Sequence, residues 1–303
     1  MLELSNQLIY VNGKFVEKEK AVISVYDHGF LYGDGVFEGI RVYEGNVFKL
    51  KEHVDRLYES AHSIMLQIPH SKEELQQIIV DTVVKNNLSS AYIRVVVSRG
   101  KGDLGLDPRN CETPTVIVIA EPLAIYSESL YNTGLKLASV VNRRSSPDVL
   151  NPQIKSLNYL NNILVKLSSV QADADEALIL NNQGYVTEGS ADNIFIVKNG
   201  VIKTPPIYLG ALEGITRNVI IELAREIGYT LDEKPFTLHD VYIADEVFLT
   251  GTAAEVIPVV TVDNRTIGNG LPGEITKNLL GEFRKRTLVD GVSCYTENSN
   301  SLF

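Results

Sequence analysis

The chain is poor in cysteine, poor in cations and without long apolar runs, and each shortage excludes a class of protein. It has 2 cysteines in 303 residues. Cys111 and Cys294 lie far apart and match no metal or redox spacing, so a reducing compartment is expected and a disulfide framework is not. Lys and Arg number 28 against 38 Asp and Glu, a formal net charge of -10. That balance argues against sequence-independent binding to nucleic acid or to an anionic membrane, but not against a small anion held in a local basic pocket. No apolar run approaches the roughly 20 residues that span a bilayer. The opening MLELSNQLIYVNG has no basic region followed by an apolar one, so no signal peptide is expected. No P-loop occurs, and no pair among the 5 histidines has metal-like spacing, so no catalytic metal is expected. Gly33-Asp34-Gly35-Val36-Phe37-Glu38-Gly39 only superficially suggests a dinucleotide loop. Its glycine spacing is one residue too long, and it leads into the strand-like VFEGIRVY instead of a helix.

The length exceeds the usual single-domain range, so two domains are expected. Asn12-Gly13 and Asn199-Gly200 each separate apolar runs and suit the positive φ values of a type I′ hairpin. Helical periodicity runs over residues 51–66 through Val54, Leu57, Tyr58, Ala61 and Met65, and a second helix is expected over 72–86. AYIRVVVS, TPTVIVIAE, EALIL, DNIFIV and DEVFLT read as strands. Leu157, Leu160, Leu164 and Leu167 mark one face of a helix, and ITRNVIIELAREIG is another, ending at Gly228. The pattern loosens after Pro122. We therefore expect a first domain over 1–121, a linker over 122–134 and a larger second domain over 135–303. The polar last dozen residues are expected to be poorly ordered. Strands and helices mix without a strict βαβ rhythm and without a repeat of about 20–50 residues, which favours α+β.

Several residues could carry chemistry, and each has a plainer alternative. Lys155 is by default a solvated charge. It follows Val149-Leu150-Asn151-Pro152 and precedes a helix with an apolar face, where an amine beside a bound cofactor can lose enough basicity to attack an aldehyde. Tyr159 lies four positions on, on the same side if the helix begins early; otherwise it is a half-buried core tyrosine. Glu188 is a surface residue or an acid that holds a protonated ring nitrogen. Gly214-Ile215-Thr216 opens a helix, whose first amides suit phosphate unless Thr216 merely caps them. Thr252 and Ala253, after the run VFLTG, are a second source of amides. Arg56 sits beside the apolar face of the first long helix. Arg94 alternates with Ile93, Val95 and Val97 on a strand, so it is either paired internally or used on a ligand. An amine, an acid and two amide-rich turns are the parts that pyridoxal phosphate (PLP) chemistry needs.

These segments, with DHGFLYGDGVFEGIR and KEHVDRL and in this order, resemble the fold-type IV PLP enzymes, and within them the branched-chain amino-acid aminotransferases. The resemblance covers about Leu8 to about Arg286. It implies a two-domain fold like that of D-amino-acid aminotransferase, with the cofactor between the domains. It matches Lys155 to the lysine that binds PLP covalently and moves the substrate Cα proton. Tyr159 matches a hydrogen bond to the ring 3′-oxygen, and Glu188 the partner of the pyridine nitrogen. Arg56, Ile215, Thr216 and Thr252 match phosphate ligands. Arg94, assisted by Tyr32 and Tyr126, matches the group that binds the distal carboxylate of glutamate. Tyr92 matches a tyrosine near the substrate α-carboxylate, which the Thr252-Ala253 turn also holds. Phe37, Gly39 and Leu106 match the apolar pocket, with Tyr32 and Leu106 coming from a neighbouring subunit.

The resemblance implies transamination of L-leucine, L-isoleucine and L-valine with 2-oxoglutarate, in a cytoplasmic homodimer or larger oligomer. Its partners would be small amino acids and 2-oxo acids, with no nucleic acid and no membrane. Three alternatives remain. A D-amino-acid transaminase would use an Arg-x-His element, which the stretch Lys101 to Pro108 lacks. Tyr159 and the GTAA turn speak against an aminodeoxychorismate lyase. A non-catalytic PLP-binding protein would not need Arg94 with Tyr32, Tyr92 and Tyr126.

Overall fold

The computed structural model describes residues 7–122 and 126–295. Among these the chain divides into two compact units. One draws on Met1–Leu123, Ile154–Asn158 and Thr287–Phe303, the other on Ala124–Gln153 and Tyr159–Arg286. No helix among the described residues is long and apolar enough to cross a membrane.

The first unit contains β1 (Leu8–Val11), β2 (Lys14–Glu17), α1 (His28–Tyr32), β3 (Gly35–Tyr43), β4 (Asn46–Phe48), α2 (Leu50–Ser63), α3 (Lys72–Lys85), β5 (Ala91–Ser98) and β6 (Thr115–Glu121). With the strand Gly291–Ser293 these make a seven-stranded sheet, ordered Gly291–Ser293, β4, β3, β5, β6, β1, β2. Every neighbouring pair is antiparallel. The β1–β2 turn has φ of 47° at Asn12 and 88° at Gly13, as a type I′ turn requires. Side chains alternate along β3 and β5. Val36, Ile40 and Val42, with Ile93, Val95 and Val97, pack against Val54, Leu57 and Ala61 of α2 and Leu75, Ile79 and Val83 of α3. Each valine, leucine or isoleucine among them contributes about 1.5–3 kcal/mol of burial. The alternation leaves Phe37, Gly39, Arg41, Tyr92 and Arg94 on the opposite face. Met65, expected on the apolar face of α2, lies past its end and is exposed, with φ 53°. Asp27 is buried and accepts from Gly29 N at 2.8 Å, Ser98 Oγ at 2.9 Å and Thr115 Oγ1 at 2.7 Å, which pins the start of α1 to β5 and β6.

The second unit contains α4 (Glu128–Thr133), β7 (Leu135–Arg143), α5 (Leu160–Gln171), β8 (Glu176–Leu180), β9 (Val186–Glu188), β10 (Asn193–Lys198), β11 (Val201–Thr204), α6 (Ile215–Glu226), β12 (Thr230–Glu233), α7 (Leu238–Tyr242), β13 (Glu246–Gly251), β14 (Glu255–Val262), β15 (Arg265–Thr266) and α8 (Glu274–Thr287). Its sheet is mixed, with β7–β8, β14–β7 and β11–β12 parallel. Short β9 pairs with both β8 and β10, so the pairing closes into a circuit through β10, β13, β14, β7, β8 and β9. Phe195 and Phe248 stack at 4.9 Å between ring centroids on the paired strands β10 and β13. The second Asn-Gly hairpin joins β10 to β11 as expected, with φ of 52° and 75°.

Three features depart from the sequence pattern. The helix expected to include Leu157 begins at Leu160, and its apolar face points outward: Leu160, Leu164 and Leu167 are 62%, 42% and 53% exposed. Periodicity marks a buried face but cannot name what buries it. Residues 154–158 group with the first unit, because this segment bonds along β3 through Phe37 N to Lys155 O at 3.0 Å and Leu157 N to Gly35 O at 2.8 Å. Gly291–Ser293, in what reads as a polar tail, pairs with β4 because backbone pairing needs no apolar side chain; the tail beyond Tyr295 lies outside the described residues. Within the span taken as linker, residues 123–125 also lie outside, and Glu128–Thr133 is helical.

Candidate active site

In the first unit, one face of β3 and β5 gathers an amine, a guanidinium and two aromatic rings. The antiparallel register sets Gly39 opposite Arg94, Arg41 opposite Tyr92 and Phe37 opposite Val96. Lys155 reaches this face from the other side of β3. Its Nζ and the Arg94 guanidinium carbon each lie 4.7 Å from the Phe37 ring centroid. Arg94 Nη2 donates to the Tyr92 hydroxyl at 3.1 Å, and its Nε is buried without a partner. Among the described residues no carboxylate pairs with Arg94. Of its two readings, an internal ion pair is therefore absent, and a cation with an unused donor faces the surface that carries Lys155. Gly39 is needed here for space: a Cβ would stand 2.1 Å from the Tyr92 hydroxyl oxygen.

Helix α2 borders Lys155 with a polar stripe. Ser60 Oγ accepts from Lys155 N at 3.1 Å. One turn earlier, Arg56 gives Nε to Glu38 Oε1 at 2.7 Å and Nη2 to Oε2 at 2.9 Å, and His53 Nδ1 lies 2.8 Å from Oε2. Burial alone would raise the Glu38 carboxyl, but the charge of Arg56 and then His53 outweigh it and hold the group far below the usual carboxylate range. Burial lowers His53 in turn, opposed by Glu38 and assisted by the charges of Arg56 and Lys155. Tyr32 and Leu106 are exposed, Tyr32 donating to Leu104 O at 2.6 Å.

The second unit assembles a buried acid between two amide turns. Glu188 is 4% exposed at the end of β9. It pairs with Arg144 and accepts from Leu212 N at 3.0 Å and Asn193 Nδ2 at 3.3 Å. Arg144 escapes a sequence reading because its partner is 44 residues away; the only trace is an Arg-Arg pair following an apolar strand. Gly214 is the N-cap of α6 and no side chain caps that helix, so Thr216 is buried in the first turn and is not the cap. The Thr252-Ala253 turn joins β13 to β14. A Cβ on Gly214 would stand 2.0 Å from Asn193 Oδ1, and one on Gly251 2.2 Å from Asp192 Oδ1. The segment after Glu188 thus packs tightly against both turns. Tyr159 precedes α5 with φ -106° and ψ 15°, so the helical spacing that would align it with Lys155 does not apply. Tyr126 is half-buried, and burial followed by the charges of Asp192 and Glu176 pushes its phenol far up, leaving it a hydrogen-bond donor.

These residues fit the expected cofactor. The α6 amides lack a side-chain cap and suit phosphate. Arg144 Nε is a buried donor without a partner beside the acid. Lys155 and Arg94 set an amine and a guanidinium with an unpartnered Nε on one face of the other unit.

Comparison with known proteins agrees with this chemistry. The model of the family "Amino-transferase class IV" matches residues 35–262. The chain belongs to the class IV aminotransferases, among their branched-chain amino-acid branch. It is 54% identical to a putative branched-chain-amino-acid aminotransferase of Methanocaldococcus jannaschii, over 95% of this chain and 99% of the relative. The crystal structure of the Escherichia coli branched-chain amino acid aminotransferase has a TM-score of 0.90 at 36% identity, covering 92% of this chain and 94% of that one. That of the branched-chain amino acid aminotransferase from Thermobaculum terrenum, in its PLP form, has a TM-score of 0.85 at 30% identity, covering 94% and 95%.

Proposed function

We propose that the protein is a PLP-dependent aminotransferase that exchanges the amino group of L-leucine, L-isoleucine and L-valine with 2-oxoglutarate. The observation that carries the substrate reading is Arg94: a guanidinium stacked on Phe37, without a carboxylate partner, on the face that holds Lys155. An apolar pocket with one such cation at its rim accepts both an aliphatic chain and glutamate. Bound PLP supplies an aldehyde and an electron-withdrawing ring that stabilises negative charge at the substrate Cα. Lys155 would hold the cofactor covalently, and its amine would move the proton at the substrate Cα. Glu188 keeps the ring nitrogen protonated, and Arg144 supplies the counter-charge that allows this acid to be buried. The amides of Ile215, Thr216 and Thr252, with Arg56, hold phosphate. Tyr159 donates to the 3′-oxygen. Tyr92 and the Thr252-Ala253 turn hold the α-carboxylate, and Tyr126 and Arg94 the distal one. Phe37, Gly39 and Leu106 border the side chain, Gly39 by admitting the Tyr92 ring.

The same reading places the enzyme in the cytoplasm, consistent with the free cysteines Cys111 and Cys294. It also makes the enzyme a homodimer at least. Two apolar surfaces support that: Leu160, Ile163 and Leu167 on α5, and Phe30, Leu104 and Leu106 beside Tyr32. The division at 122–134 is kept as the proposed boundary between the domains, with Ile154–Asn158 and the chain from Thr287 returning to the first unit.

The test is a half-reaction screen. The cofactor absorbance of the purified enzyme should change rapidly with L-leucine and L-glutamate and poorly with D-alanine, and 2-oxoglutarate should reverse it. Comparable rates for D-alanine and L-leucine would move the protein to the D-specific alternative. Sedimentation should give at least twice the 33.5 kDa chain mass.

A further inference from the structure

In the charged cluster on α2 and β3, Arg56 has a part in the chemistry above, but Glu38 and His53 have none. Glu38 lies on the core face of β3, between Val36 and Ile40, and is fully buried. A carboxylate in such a place costs several kcal/mol unless fully paired, and a buried ion pair is often no more stabilising than an apolar pair of the same shape. Stability is therefore a weak reason for it. The geometry offers a better one. Glu38 takes both Nε and Nη2 of Arg56, a two-point fork that fixes the plane of the guanidinium as well as its position. His53, one turn earlier on α2, meets Oε2 of the same carboxylate and stops it from swinging. Ser60, one turn later, takes the backbone N–H of Lys155. The helix thus carries along one stripe the device that orients Arg56 and the anchor of the lysine segment.

We infer that Glu38, backed by His53, is a positioning residue that sets the guanidinium of Arg56 for the phosphate ester of the cofactor. The inference rests on the reading of Arg56 as a phosphate ligand. A purely structural pair would join α2 to β3, and its loss would weaken every ligand alike. A positioning pair affects only ligands that carry phosphate.

The experiment measures affinity of the cofactor-free, full-length protein for PLP and for pyridoxal, which lacks the phosphate, by absorbance titration. Arg56→Met should weaken PLP by about 100-fold and leave pyridoxal nearly unchanged. Glu38→Gln should weaken PLP by about tenfold with the same selectivity, as expected for removal of a group that orients a ligand-binding side chain. In the Arg56→Met background it should add nothing, because both act through one guanidinium. Equal weakening of both aldehydes by Glu38→Gln, or none, overturns the inference. Should Glu38→Gln not fold, His53→Gln decides, since it leaves the ion pair intact. A PLP-selective loss of about threefold supports the inference, and no change or an unselective loss overturns it. Arg56→Met without phosphate selectivity sinks the reading of Arg56 itself. Selectivity in Arg56→Met but not in Glu38→Gln sinks only the role given to Glu38.

Discussion

Replacing Arg94 with leucine should separate the two substrate classes. The guanidinium stacks 4.7 Å from the Phe37 ring centroid and 5.5 Å from that of Tyr92, donates once to the Tyr92 hydroxyl, and keeps Nε unpartnered. A charge-assisted hydrogen bond to a substrate carboxylate contributes about 1.5–3 kcal/mol, which corresponds to roughly 10- to 150-fold in kcat/KM. L-Glutamate and 2-oxoglutarate should lose that factor in Arg94→Leu. L-Leucine carries no distal charge and should change by less than about threefold, since leucine at position 94 replaces apolar contact against Phe37. The protein should lose at most a few kcal/mol of stability, because each cation–π contact of this half-buried side chain contributes about 0.5–2 kcal/mol. The assay is the single-turnover rate with each amino acid, read as the ratio of glutamate to leucine. Equal losses for both, in a variant that melts at the wild-type temperature, would refute the argument and return Arg94 to the fold.

Borohydride reduction of the PLP-loaded protein followed by peptide mapping should label Lys155, and label on any other lysine would remove it from the mechanism. Glu188→Gln should retain cofactor but lose about 1.5–3 kcal/mol of transition-state stabilisation; an unchanged half-reaction would make Glu188 structural. Arg144→Met leaves the Glu188 carboxylate buried with its main counter-charge gone, so its melting midpoint should shift as expected for about 3–5 kcal/mol, and a shift near zero would show that the pair is dispensable. His53 has a folded pKa below its ordinary 6.5. A depressed pKa contributes stability above the unfolded value that is lost as pH falls through the folded one, so the apoprotein should weaken progressively below about pH 6.5 and His53→Gln should flatten that part of the profile. Parallel profiles for wild type and variant would contradict it.

The legible features are those whose cause lies within a few residues. Asn12-Gly13 and Asn199-Gly200 specify their turns through φ alone, and the period-two alternation in AYIRVVVS is enough to separate Ile93 and Val95 from Tyr92 and Arg94. What the sequence hides is decided by partners far along the chain. Arg144 is one basic residue among many until a closed strand circuit brings Glu188 to it. Glu38 looks like an irregularity in an apolar strand until α2 delivers His53 and Arg56 at hydrogen-bond distance. Lys155 precedes a helix in sequence, yet its backbone pairs along β3, because the residues from Ile154 to Asn158 are too irregular to join α5 and find their hydrogen bonds on Ser60, Gly35 and Phe37 instead. The stripe on α5 carries the same lesson at larger scale. Leu160, Leu164 and Leu167 have the spacing of a core face, yet within the described chain each stays more than 40% exposed. Periodicity reports that a surface is built for burial, and only the assembly itself identifies what buries it. Those leucines thus motivate the dimer more directly than any residue of the catalytic face does. Substituting Leu164 and Leu167 with glutamate should yield a monomer if that reading holds, and should leave the oligomer intact if it does not.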